Sequence, residues 1–116
     1  RARGGGEFAQ TFSADASFTV GGKRRRGRQG IHDHTGTHRP GMAPGQHVTD
    51  NSVIDVADDG RTARAWTDFL YMNKTEDGFR TSNAGRYHDR LIREPDRWRF
   101  ATRTIVFLGD PVPEDA

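Results

Sequence analysis

The segment from Gly85 to Phe100 constrains the fold most. It holds two alternating stretches on either side of a short turn at Glu94-Pro95-Asp96. Alternation with period two is the pattern of half-buried β-strands. On this count Tyr87, Asp89 and Leu91 share one face of the first strand, and Trp98, Phe100 and Thr102 share one face of the second. If these faces meet inside the protein, a carboxylate sits in an apolar, aromatic lining. Burying a carboxylate is costly unless it is paired. Asp89 is therefore expected to be a structural anchor with a cationic partner or part of a site.

The same pattern extends backwards. Arg61 to Tyr71 reads as a strand with Ala63, Ala65, Thr67, Phe69 and Tyr71 on one face. His47 to Val56 reads as another, ended by the turn signal Asp58-Asp59-Gly60. Lys74 to Asn83 is expected to be a polar loop, and Thr37 to Gly45, rich in Pro and Gly, another. Glu7–Phe12 and Gly27–Gly36 read as short helices, and Ala16–Val20 as a short strand stopped by Gly21-Gly22. Pro111 and Pro113 mark a loose tail. Four consecutive strands joined by tight turns imply an α+β protein with a curved antiparallel sheet, preceded by one or two helices.

The 116 residues fit a single domain, 1–116. With no cysteine, disulfides, zinc–thiolate sites and thiol catalysis are excluded. No apolar run approaches the roughly 20 residues of a membrane helix, and there is no signal-peptide pattern, so a cytoplasmic protein that does not bind membranes is expected. Eighteen basic and sixteen acidic residues leave a net charge of +2, mostly interspersed. This describes a mixed surface rather than a nucleic-acid footprint. The exception, Lys23 to Arg28, lacks interleaved aromatics and reads as a solvated turn. The sequence begins Arg1-Ala2-Arg3 without Met, as a processed chain or one beginning inside a longer product would.

Gly45 to Val56, Asp59 to Ala65, Gly85 to Leu91 and Trp98-Arg99-Phe100, in that order and spacing, resemble the SnoaL-like group of the nuclear transport factor 2-like superfamily. Glu7 to Phe18 and Gly27 to Ile31 resemble it too, so the likeness covers nearly the whole chain. It implies a cone: a strongly bent antiparallel sheet wrapped around a few helices, with a pocket at the open end. Relatives include scytalone dehydratase, polyketide cyclases, ketosteroid isomerase, epoxide hydrolases and small subunits of ring-hydroxylating dioxygenases. Many are not catalytic, so the fold does not by itself give function. Against the group's pattern the chain lacks most of the first helix, which often supplies a Tyr and an Asp. It also lacks a second His in Arg61–Tyr71.

His47 matches a catalytic-type His of scytalone dehydratase. By alternation it shares a face with Thr49 and Asn51. An imidazole can act as general acid or base near neutral pH; the plainer reading is a His that only hydrogen-bonds a neighbouring strand. Asp89 would orient His47, and Tyr87, with Asn51, would polarise a substrate oxygen. The alternative pairs Asp89 with an arginine such as Arg103 or Arg86. Phe69, Tyr71, Trp98 and Phe100 would wall a ligand pocket, or be plain core. Trp66 falls on the opposite face, where with Arg64, Asp68 and Leu70 it would form a dimer surface. Among His32, His34, His38 and His47 two are spaced His-x-His, which can chelate, but they fall in a Gly- and Pro-rich stretch without the carboxylate pattern typical of a metal site. The expectation is therefore a homodimer through the outer sheet face that binds a small apolar oxygenated metabolite (polyketide, steroid or aromatic). It would catalyse cofactor-free dehydration, isomerisation or cyclisation, or else serve as a non-catalytic binding or assembly module. No metal and no nucleic-acid partner is expected.

Overall fold

In the computed structural model, which describes residues 5–35 and 45–116 (side chains for 7–33 and 45–116), the segment around Glu94-Pro95-Asp96 is a hairpin. β5 (Gly78–Arg93) and β6 (Trp98–Phe107) run antiparallel, with Asp89 opposite Arg103 and Tyr87 opposite Ile105. The Glu94 amide donates to the Arg97 carbonyl across the turn, at 2.9 Å. Arg99 braces it by binding Glu94 and Asp96.

The remaining elements are α1 (Gly5–Ala9), β1 (Phe12–Val20), β2 (Lys23–Arg26), α2 (Gly27–Thr35), β3 (Gly45–Val56) and β4 (Thr62–Thr75). They complete an α+β fold with a curved, unclosed six-stranded sheet of order β2-β1-β6-β5-β4-β3. Every pairing is antiparallel except that of β1 with β6. The sheet is therefore mixed: β1 enters beside the last strand, with Phe12 opposite Phe100 and Val20 opposite Ile105.

The core lies at this end. Ala9, Phe12, Ala16, Phe18 and Ile31 are buried, with Phe8, Val20, Phe100 and Ile105 packed around them. The rings of Phe8, Phe12 and Phe18 meet edge to face, at centroid distances of 5.2–6.0 Å. Such contacts add about 0.5–1.5 kcal/mol each beyond area burial. α2 packs on β1 and β2 and donates from Arg28 Nε to the Phe12 carbonyl at 2.9 Å. The helices thus define an inner face near β1 and β6, while β3 is exposed along its whole length.

Several elements differ from the sequence expectation. Phe12 begins β1 rather than ending a helix, because it pairs with Phe100. Lys23–Arg26 is a short edge strand, reached by a turn in which Gly21 and Gly22 take φ of 58° and 76°. A type I′ hairpin turn needs such angles at both central residues. Lys74–Asn83 is not a loop: β4 and β5 continue as a two-stranded ribbon, with Lys74 opposite Phe79. The ribbon is largely exposed, so no apolar alternation marked it. Residues 37–44 of the expected Pro- and Gly-rich loop lie outside the described residues, and Gly45 already belongs to β3.

Two bulges decide which side chains reach the inner face. In β3, Asp50 opposes Asp68 and Val53 opposes Trp66, leaving Asn51 and Ser52 opposite Thr67 alone. Asn51 takes φ 55° there. In β6, Thr102 opposes Arg90 and Phe100 opposes Leu91, leaving Ala101 over. An inserted residue reverses the facing of everything beyond it.

Candidate functional site

A row of rings crosses the inner face. On β3, His47 lies 4.7 Å from the Tyr71 ring and 6.3 Å from the Phe69 ring of β4. Phe69 is buried and stacks on Tyr87 of β5 at 4.7 Å, with planes 7° apart. Gly85 makes room for this stack: a Cβ there would lie 2.3 Å from the Val106 carbonyl oxygen and 2.9 Å from the Phe69 ring. Tyr87 and Phe100 sandwich the Arg103 guanidinium, 4.3 and 4.2 Å from their centroids. Phe100 then joins Phe12 at 5.3 Å, so the row ends in the core.

Arg103 is the residue this face is built around. Its Nε donates to Asp89 Oδ1 at 2.8 Å and its Nη2 to Oδ2 at 3.0 Å. The two side chains are 14% and 3% exposed. A bidentate pair of this kind satisfies a buried carboxylate.

Asp89 is therefore spent on Arg103 and does not orient His47. The register confirms the separation: on β4, Asp89 faces Ala65 and His47 faces Tyr71. Six residues of strand amount to about 20 Å. Asn51 is also displaced from its expected place. The bulge turns it away from His47 and Thr49, and its Nδ2 lies 3.4 Å from Asp68 Oδ2 on the outer face. Asp68 is itself held by Arg86 Nε at 2.7 Å, and this bond, with that from Asn51, lowers its pKa. Ser52 takes the inner position instead, its hydroxyl 3.0 Å from that of Thr67. Thr49, opposite Phe69, stays on the side of His47. Trp98 stands at the far end of β6 opposite Arg93, seven residues from the partner of Tyr87, and is 37% exposed. Phe100 belongs to the core and to the Arg103 sandwich rather than to an open wall.

His47, Tyr87, Phe69, Tyr71 and Thr49 remain together. Although its residue is exposed overall, the His47 imidazole is partly desolvated, lying near the Tyr71 and Phe69 rings, which lowers its pKa and favours the uncharged base at neutral pH. Burial raises that of Tyr87, with Arg103 opposing and Asp89 reinforcing the shift, so its hydroxyl stays a donor. Neither side chain has a hydrogen-bond partner among the described residues. Grooves of about 440 Å³ lie elsewhere, on the outer face. One is lined by Gln46, Val48, Met72 and Phe79, another by Asp68, Leu70, Arg86, His88 and Val106. The polar pair of the second, Asp68 with Arg86, is already joined in a salt bridge. The tail crosses this outer side: Arg64 Nη2 donates to the Ala116 carbonyl at 3.2 Å, and Arg24 pairs with Asp115 at 2.7 Å.

The Asp89–Arg103 pair is one of the two alternatives expected from the sequence, although strict alternation puts Arg103 on the face away from Phe100. The signal was present: apolar residues of β6 fall on even positions at Trp98 and Phe100 and on odd ones at Ile105 and Phe107. Such a change of parity requires a bulge between them. Of the histidines weighed as metal ligands, His34 and His38 lie outside the residues with described side chains. Among the described residues no group of three His, Asp or Glu converges, and no helix is long and apolar enough to cross a membrane.

No curated protein matches the sequence. Among solved structures, the chain is similar to a Mycobacterium tuberculosis protein of unknown function at 27% identity, with a TM-score of 0.79. The match covers 96% of this chain and 63% of that one, so this chain spans less than two-thirds of that relative. A Catenulispora acidiphila protein in complex with S-DNPA matches at 25% identity and TM-score 0.73, over 89% of this chain and 78% of that one. A nuclear transport factor 2-like protein with a cystatin-like fold from Novosphingobium aromaticivorans matches at 17% and 0.78, over 92% and 71%, a likeness of fold. The SnoaL-like domain matches residues 3–104. With that span, the chain belongs to the SnoaL-like domain family, and its architecture is similar to that of the nuclear transport factor 2-like protein.

Proposed function

We propose that the inner face binds a small, largely apolar, oxygenated ligand such as a polyketide, steroid or aromatic metabolite. One observation carries this reading: the ring row Tyr71–Phe69–Tyr87 is flanked by an imidazole and a phenol that no described residue uses. The Catenulispora relative, solved in complex with S-DNPA, supports it. Rings provide apolar contact, and unspent polar groups provide orientation. The chemistry proposed is cofactor-free proton transfer leading to dehydration, isomerisation or cyclisation. His47 is the acid–base group, with Tyr87 donating to the substrate oxygen. Asp89 takes no direct part, since Arg103 holds both its oxygens.

The test uses an aromatic ketone, tetralone, in D2O. NMR measures its binding and the exchange of its α-protons. Exchange faster than in buffer, abolished in His47→Gln with binding retained, supports catalysis. Binding without accelerated exchange establishes the non-catalytic module, a reading favoured by the loss of Asp89 to Arg103. No binding refutes the ligand reading.

A homodimer through the outer face is part of the proposal. That face carries Trp66 and a 40%-exposed Leu70 beside Arg64 and Asp68. The tail held by Arg24 and Arg64 would share or leave this surface on pairing. Sedimentation showing a dimer that Trp66→Glu dissociates supports it, and a wild-type monomer at high concentration removes it.

A further inference from the structure

Arg103 has more hydrogen-bonding capacity than Asp89 uses. A guanidinium carries five N–H donors in a rigid plane. Asp89 engages the Nε and Nη2 edge, while no described group accepts from Nη1. No buried polar side-chain atom among the described residues lacks a partner, so Nη1 is not fully buried and keeps some solvent access. The group cannot turn to spend this edge elsewhere, because rings on both sides and the bidentate carboxylate hold its plane. Asp89 cancels the net charge but from the opposite edge, leaving a dipole with its positive end on Nη1. Tyr87 stacks on the guanidinium and on Phe69, so this end borders the aromatic wall.

We infer that Arg103 is a ligand-recognition residue: its Nη1 edge receives the carbonyl, enolate or phenolate oxygen of a planar ligand laid along the Phe69–Tyr87 wall. The inference rests on the ligand-binding reading above and names the chemistry that the site selects. Asp89 is the positioning residue that fixes the guanidinium.

The probes are naphthol and methylnaphthalene, alike in shape, of which only naphthol carries an oxygen. Binding is followed by ligand fluorescence, and the bound naphthol pKa by its absorption spectrum. Naphthol is expected to bind about tenfold more tightly, a difference of about 1.4 kcal/mol. Its bound pKa should fall by about one unit, since a hydrogen bond from the Nη1 edge to the charged form favours the phenolate. Arg103→Lys keeps a cation for Asp89 but loses the planar edge. It should remove both effects while methylnaphthalene affinity stays. A paired Asp89→Asn/Arg103→Gln variant, with folding checked by circular dichroism, should do the same. Equal wild-type binding of the two probes with no spectral shift overturns the inference and leaves the ligand reading standing. A shift that survives Arg103→Lys overturns it as well. If neither probe binds, the ligand reading fails and this inference with it. The wild-type comparison needs no variant, so misfolding of either one does not spoil the test.

Discussion

Replacing Asp89 with Asn keeps the size of the side chain and removes the charge that holds Arg103. The wild-type pair is bidentate, at 2.8 and 3.0 Å, and the two side chains are 3% and 14% exposed. Breaking a buried ion pair from one side costs about 3–5 kcal/mol, because the other charge is left uncompensated. The lower end applies here, since Nη1 keeps solvent access and the amide oxygen still accepts one bond. About 3 kcal/mol is expected. With an unfolding entropy of about 2.1 cal/mol/K per residue over 116 residues, each kcal/mol shifts Tm by about 4 °C, so Tm should fall by about 12 °C. Urea unfolding and calorimetry measure this directly. Arg103→Met made alongside should be far from additive, because the double variant has no orphaned charge. A loss below about 1 kcal/mol for Asp89→Asn, or an additive double variant, would refute the claim that this pair anchors the inner face.

Gly85→Ala should destabilise by about 3 kcal/mol, since the new methyl meets backbone at 2.3 Å that cannot give way; a urea midpoint within error of wild type would contradict the packing described. Asn51→Val should cost about 1–2 kcal/mol because a β-branched residue resists φ 55°, while Asn51→Gly should be nearly neutral; equal urea midpoints for the two would show that the bulge is not under this constraint. His47 and His88 both have pKa values lowered by burial, with Arg86 adding to the effect at His88. The unfolded chain therefore takes up protons more readily. Stability should be full above about pH 6.5 and decline as pH falls through that value towards the folded pKa values. NMR titration of the two imidazoles should give midpoints below about 6.5, and a midpoint above it would reverse the sign.

Much of the fold was legible because the strand segments advertise themselves. Ala63, Ala65 and Phe69 alternate on a half-buried strand, and the turns at Asp59-Gly60 and Pro95-Asp96 have the right residues. The ribbon beyond Lys74 was illegible for a physical reason: exposed on both sides, it had no face to mark. The candidate site was only partly legible, because a site on a sheet depends on facing and facing depends on counting. One residue too many at Asn51 and one at Ala101 moved Asn51 out and Arg103 in. Asp89 stood out correctly as a carboxylate needing an explanation. Its arginine partner was legible as one of two candidates, Arg103 or Arg86; what alternation counted from one end does not reveal is the parity change along β6 that brings Arg103 to it.

The parallel pairing of β1 with β6 also sets the order in which this protein can be built. Phe12 and its partner Phe100 are 88 residues apart. At a synthesis rate of roughly 5–20 residues per second, Phe12 waits roughly 4–18 s for the ring that covers it. During that interval Phe8, Phe12, Phe18 and Ile31 can gather only among themselves, with β1 lacking its neighbour on one edge. Closure across so long a stretch of chain is slow and entropically late. The nascent chain thus exposes an aromatic cluster and an unpaired strand edge until Phe100 and the rest of β6 have been made.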